Sequence, residues 1–265
     1  MKLGFIGTGN MASAIMGGII KNNVIPAEEI IGADLFAPGR ERVQKEYGIN
    51  VTADNNKEVA QKAETIILSV KPQFYESVIA DIKDVVTDKQ IIITIAPGKT
   101  LAWLAEQFGK DVKIVRTMPN TPAMVGEGMT AVCPNEHLTE DEIAYVKSLL
   151  ESFSRAEIVP ERLMDVVTAV SGSSPAYVFM LIEAMADGAV ADGMPRAQAY
   201  KFAAQSVLGS AKMVLETGKH PGELKDQVCS PGGTTIEAVR VLEEKGFRSS
   251  VIEAMKACVR KARGI

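Results

Sequence analysis

Short uninterrupted apolar stretches alternate with segments in which apolar residues recur every three or four positions. Met1–Ile6 reads as a short buried strand, and the next periodic set (Ala12, Ile15, Met16, Ile19, Ile20) predicts a helix. Ile30–Asp34 predicts a second strand, Arg40–Tyr47 a helix, Ile49–Val51 an extended piece and Asn56–Lys62 a helical turn or two. Thr65–Val70 and Gln90–Ile95 are apolar at nearly every position, as strands are when helices cover both faces of a sheet. Gln73–Ile82, Leu101–Phe108 and Glu140–Phe153 predict helices; Val112–Arg116, Met129–Cys133 and Ala156–Val159 predict strands. Such alternation predicts a parallel, doubly wound α/β sheet. The pattern changes near Pro160. Leu163–Val170, Ser174–Asp192, Arg196–Thr217, Thr234–Glu244 and Ser249–Ala262 all have helical periodicity, and no convincing strand follows. The expected division is 1–160, a Rossmann dinucleotide-binding domain, and 161–265, an all-helical domain. Ala184, Met185, Ala186, Ala189, Val190 and Ala191 leave the second of these helices little polar surface, so a partner subunit is expected to cover it.

The link after the first strand carries the clearest chemistry. Gly7-Thr-Gly9-Asn10-Met11-Ala12 is a glycine turn opening a helix. Gly7 permits the turn, Gly9 lets backbone approach a pyrophosphate, and the helix start offers free N–H groups; Ala12 stands at the third position of the G-x-G-x-x-G pattern. Ligands of open α/β sheets lie outside the carboxyl ends of the strands. Those ends carry Asp34, then Ser69-Val70-Lys71-Pro72, then Ala96-Pro97, then Asn120 in the stiff Thr117–Pro122 loop. Asp34 fits the acidic residue that holds adenosine ribose hydroxyls and repels the 2′-phosphate of NADP, whereas Arg40 and Arg42 could pair with that phosphate. NADH and NADPH both stay open. A second cluster, Ser230-Pro231-Gly232-Gly233-Thr234-Thr235, is a glycine turn opening a helix, an arrangement that binds carboxylates as well as phosphates.

The remaining properties narrow the classes. Of 265 residues 46% are hydrophobic and 23% charged, enough for a large core in one or two domains. A net charge of −4 offers no basic footprint for nucleic acid. No apolar run is expected to span a bilayer, and no secretory signal is visible. Cys133, Cys229 and Cys258 form no metal-binding or disulfide spacing and are expected to be reduced, mostly buried thiols of a cytoplasmic protein. Of the two histidines, His137 is expected in solvent and His220 in a turn, which leaves little scope for a histidine base.

Gly7–Ala12, Val70–Pro72, Arg116–Pro122, Ser171–Tyr177 and above all Leu224–Val239 together resemble the Δ1-pyrroline-5-carboxylate reductase family over essentially the whole chain. The resemblance implies an N-terminal Rossmann domain, a helical dimerisation domain, an active site formed at the dimer interface, and homodimers that often assemble into rings such as decamers. It implies NADPH or NADH as cofactor and 1-pyrroline-5-carboxylate as the substrate, reduced at its C=N bond to L-proline in the last step of proline synthesis. Asn56 matches an asparagine near the adenosine 2′-position, and Thr235 the family's substrate-contacting threonine; Asp34 departs from members with serine there. Two rival readings are a β-hydroxyacid-type dehydrogenase, for which Lys201, Lys212 and Lys225 lack a comparable glycine-flanked setting, and a non-catalytic dinucleotide sensor, for which the second anion turn has no use.

Overall fold

The computed structural model describes residues 1–53 and 55–264. The chain opens with β1 (Leu3–Ile6), α1 (Asn10–Lys21), β2 (Ile30–Asp34), α2 (Ala37–Tyr47), β3 (Asn50–Ala53) and α3 (Asn56–Lys62). It continues through β4 (Thr65–Leu68), α4 (Tyr75–Ile82), β5 (Ile91–Thr94), α5 (Leu101–Phe108) and β6 (Lys113–Met118). These pair in the order β3-β2-β1-β4-β5-β6, all parallel, so the order reverses beside β1. Strand residues serve both faces. Leu3, Phe5, Ile67 and Ile93 belong to one buried cluster with Ile15 and Met16 of α1; Ile6, Ile66, Leu68 and Ile92 belong to another with Ile79 and Ile82 of α4. This is why the strands read as continuous apolar runs.

One expectation needs correcting. β7 (Gly128–Pro134) pairs antiparallel to β6, and β8 (Ser154–Ile158), reached through α6 (Glu140–Glu151), pairs parallel to β7. The sheet has eight strands and is mixed. The link between β6 and β7 holds only a 3-10 turn at Thr121–Val125, too short for the crossover helix that parallel pairing requires.

The described chain forms two compact units, one of Met1–Ser173 joined by the described residues from Val259 on, the other of Ser174–Cys258. Residues 161–173 stay with the first unit for a physical reason. The segment after β8 forms a 3-10 turn, α7 (Met164–Val167) and a π turn at Thr168–Gly172, and Met164 is buried against Ala131 and Cys133 of β7. Arg116, 4% exposed, pairs with Glu161 at 3.0 Å and Asp165 at 3.6 Å; Arg263 reaches Asp165 at 3.7 Å, returning the chain's end to this unit.

The second unit is helical throughout its described residues: α8 (Ser174–Ala191), α9 (Arg196–Thr217), α10 (Pro221–Val228), α11 (Thr234–Glu244) and the first part of α12 (Phe247–Ala262). α10 was not foreseen; His220, read as a turn residue, is its N-cap and accepts from the Gly222 N–H at 3.0 Å. In the single chain the unit buries very little. Ala186 is the buried residue of α8, Ala199 and Ala203 those of α9, while Phe179, Met180, Phe202 and Leu215 are all more than 60% exposed. The helical run Glu161–Ala191 is also long and apolar enough, at mean hydropathy 1.3, to meet a membrane-span criterion, contrary to expectation. Length and composition do not separate such a span from a helix covered by protein, and the π turn interrupts the regular helix. Cys133 is buried, and burial, reinforced by the Glu161 carboxylate, pushes its thiol up; Cys229 and Cys258 are only half-buried, against the expectation of mostly buried thiols, because they belong to this open helical region.

Candidate functional site

At the point where strand order reverses, the ends of β1, β2 and β4 frame a groove of about 790 Å³. Gly7, Gly9, Asp34, Asn56, Ser69, Val70 and Lys71 line it, so seven of the proposed cofactor residues share one wall. Gly7 adopts φ +100°, and a Cβ there would lie 2.8 Å from the Ser69 carbonyl group and 2.9 Å from the Val70 nitrogen. The glycine is required because β1's exit lies directly on the backbone leaving β4. Gly9 differs: no atom lies within 4 Å of where its Cβ would be. The space there is open, and behind it α1 begins with no side-chain cap and no acidic residue in its first turn. An uncapped helix start behind a Cβ-free approach suits a pyrophosphate, so the residues present fit a dinucleotide.

Side-chain hydrogen bonds hold the rim. Ser69 donates its hydroxyl to the Gly7 carbonyl at 2.7 Å, so it braces the turn as well as lining the groove. The Asp34 carboxylate accepts from the Thr8 N–H at 2.6 Å, the Thr8 hydroxyl at 3.1 Å and the Phe36 N–H at 2.9 Å. Tyr75 is fully buried; its hydroxyl donates to the Leu68 carbonyl and accepts from the Ile95 N–H at 3.3 Å, tying the ends of β4 and β5 together, and burial pushes its ionisation far up.

Other expected residues stand elsewhere. Asn10, Met11 and Ala12 form the first turn of α1, whose start has no side-chain cap. Pro72 opens the 3-10 turn after β4; Ala96 and Pro97 follow β5 and are not part of the groove wall. Asn120 is buried with both ends of its amide engaged, donating to the Ser171 carbonyl at 3.1 Å and accepting from the Met129 N–H at 2.9 Å. Its visible work is to brace the loop before β7. Sequence reasoning missed Leu35, Phe36 and Phe74, which line the groove although 76%, 65% and 51% exposed. Their signal is large apolar residues at the ends of β2 and β4, where turns are otherwise polar; flat apolar walls of this kind suit an aromatic base.

In the second unit, Ser230–Gly233 turns between α10 and α11. Gly232 has φ +67°, and the Gly233 N–H donates to the Ser230 carbonyl at 3.0 Å. Gly233 caps α11 with no side-chain hydrogen bond, so no side chain takes the N–H groups that open the helix at Thr234 and Thr235; Glu237 stands in the same first turn and pairs with Arg240 at 3.1 Å. A Cβ on Gly233 would lie 2.6 Å from the Ser230 hydroxyl oxygen, which keeps the turn tight. Neither histidine lies in either place: His137 is 3.7 Å from Asp111 and His220 caps α10.

A reversed-order parallel sheet with this glycine turn, followed by a helical unit, defines a Rossmann-type dinucleotide-dependent oxidoreductase. Residues 161–265 match the family model described as pyrroline-5-carboxylate reductase dimerisation, and residues 2–98 the model of coenzyme F420-dependent NADP oxidoreductases. The chain belongs to the pyrroline-5-carboxylate reductase family. It is 54% identical to the pyrroline-5-carboxylate reductase of Escherichia coli over 98% of this chain and 97% of that protein, and 45% identical to that of Synechocystis over 99% and 97%. The crystal structure of the Plasmodium falciparum pyrroline carboxylate reductase with NADP bound superposes with TM-score 0.91 at 33% identity, covering 100% of this chain and 97% of that one. An NADH-preferring ketol-acid reductoisomerase at 14% identity and TM-score 0.64 shares the fold alone.

Proposed function

We propose that this chain reduces 1-pyrroline-5-carboxylate to L-proline with NADPH or NADH, the last step of proline biosynthesis. The observation that carries the reading is a pair of uncapped helix starts behind glycine turns, at Gly7–Gly9 and at Ser230–Gly233, in a chain 54% identical over nearly its whole length to a pyrroline-5-carboxylate reductase. The first cradles the dinucleotide pyrophosphate, with Asn10, Met11 and Ala12 supplying N–H groups and Asp34 and Asn56 standing at the ribose end. Ser69 to Pro72, Ala96, Pro97 and Asn120 complete the cofactor edge. The second grips the substrate carboxylate through Ser230, Pro231, Gly232, Gly233 and Thr234. When bound, the reduced nicotinamide supplies the hydride for the imine carbon.

The ring nitrogen gains a proton. Thr235, in the first turn of α11, directs its hydroxyl at that nitrogen; as a weak acid it orients the ring and relays a proton from water. Once its nitrogen is protonated the C=N group is a strong electrophile, so these residues need only hold it at attack distance and let the nitrogen take its proton from water. Residues 161–265 serve as dimerisation and substrate domain, the chain works as a homodimer assembling into a larger ring such as a decamer, and the protein is cytoplasmic, with neither nucleic acid nor membrane as partner. The test is loss of nicotinamide absorbance with pyrroline-5-carboxylate, run with each cofactor. Turnover is expected, with Thr235→Ala slower by roughly 10²-fold; hydroxyacid oxidation without imine reduction would refute the reading.

A further inference from the structure

Asp34 closes β2 and stands in the groove wall, which Asn56 also lines. Its Oδ2 takes both donors of Thr8, which is itself fully buried, and its Oδ1 takes the Phe36 N–H. Backbone and buried hydroxyl therefore fix this carboxylate in place. A carboxylate has about four acceptor directions, so one remains for an incoming hydroxyl.

The arginines nearby each donate to a main-chain carbonyl. Arg40 donates to the backbone carbonyl of Asp34 itself. Arg42 donates to the Thr8 carbonyl at 3.1 Å and to Asn10 Oδ1 at 3.3 Å. Neither arginine forms part of the groove wall. Lys71 does, but it follows β4, and β1 lies between β4 and β2, which separates the two strand ends by about 10 Å. The second acid on the wall, Asp81, pairs with Lys57 at 3.7 Å.

We propose that Asp34 makes this chain discriminate against a 2′-phosphate, so that it takes NADH in preference to NADPH. The proposal rests on the groove being the dinucleotide site, as in the function proposed above, and is independent of the substrate. A ribose 2′-hydroxyl can donate to the free direction on Asp34. A 2′-phosphate has no such proton to give near neutrality and adds up to about two negative charges beside a fixed one. The Plasmodium relative was solved with NADP bound, so the preference belongs to this chain's residues and not to the shared fold.

Equilibrium titration of the full-length protein with ADP-ribose and with 2′-phospho-ADP-ribose, without any pyrroline substrate, reads the preference. ADP-ribose is expected to bind about tenfold tighter or better, and Asp34→Ser to close or invert that ratio. Asp34→Asn retains a carbonyl acceptor for Thr8, so it separates loss of charge from collapse of the loop; it too should lose the discrimination while still binding ADP-ribose. Equal or tighter binding of the phosphorylated probe by the unaltered chain overturns the proposal, as does a ratio indifferent to both substitutions. Failure of both probes to bind overturns it as well, by removing the groove as a nucleotide site. An enzyme that shows the ratio but reduces no imine leaves this inference standing and sinks the substrate assignment instead.

Discussion

The two glycines of the first turn look equivalent in sequence and are unequal in space. Gly7 needs a left-handed backbone and meets main-chain atoms of Ser69 and Val70 under 3.0 Å, so Gly7→Ala is expected to destabilise the protein by about 2 kcal/mol or more. Gly9→Ala places its methyl in open space at an ordinary φ of −68°, and is expected to cost under about 1 kcal/mol of stability. Its penalty should appear in cofactor binding, weakened about tenfold where the methyl meets the pyrophosphate. Denaturant unfolding and nucleotide titration of both variants check the pair. If the two mutants lose stability equally, the distinction is wrong.

At the scale of elements, the last strands and helices hang on polar joints. Arg116 is almost fully buried and joins β6 to Glu161 and Asp165. Arg116→Met removes the cation and leaves two carboxylates, each about a quarter to a third exposed, without it; the expected loss is about 2–3 kcal/mol, below the cost for a fully buried pair because water still reaches the acids. Thermal unfolding measures it. The start of α6 is expected to respond to pH through Glu142. Lys113, at 2.5 Å, and then the Thr139 N–H hold the Glu142 carboxyl below its usual range. A lowered folded value means stability that is present above the unfolded value of 4.5 and lost as the pH falls through the folded one. The stability advantage of the natural chain over Glu142→Gln should therefore shrink on acidification below 4.5, as followed by unfolding at matched pH values.

For the whole molecule, the helical unit poses the question of what covers it. Ala186, Ala199 and Ala203 are buried there, while Phe179, Met180, Phe202 and Leu215 lie open in the single chain. Such a surface suits contact with a partner, which the proposed homodimer would supply. The melting temperature is expected to rise with protein concentration, as it does when folding and association are linked. Phe179→Asp with Met180→Asp should shift the mass measured by light scattering toward the single chain and lower that temperature. A concentration-independent melt of a species with the single chain's mass would count against the homodimer.

Much of this was legible along the chain because it depends on near neighbours. Alternating apolar runs set the order of strands and helices through β6, and Gly7–Ala12 and Ser230–Thr235 could be read as glycine turns opening helices, since a glycine turn and a helix start are local features. Three things were decided by residues distant in sequence. The direction of β7 shows in its pairing with β6, Val115 opposite Pro134 and Met118 opposite Ala131. The boundary after residue 173 followed from Met164, Glu161 and Asp165 packing and pairing with β6 and β7. The surroundings of Asp34 also appear only in the fold, where Thr8 holds the carboxylate and Arg40 and Arg42 each donate to a main-chain carbonyl, because a charge's effect on a ligand depends on where its partners lie, which spacing along a chain does not record.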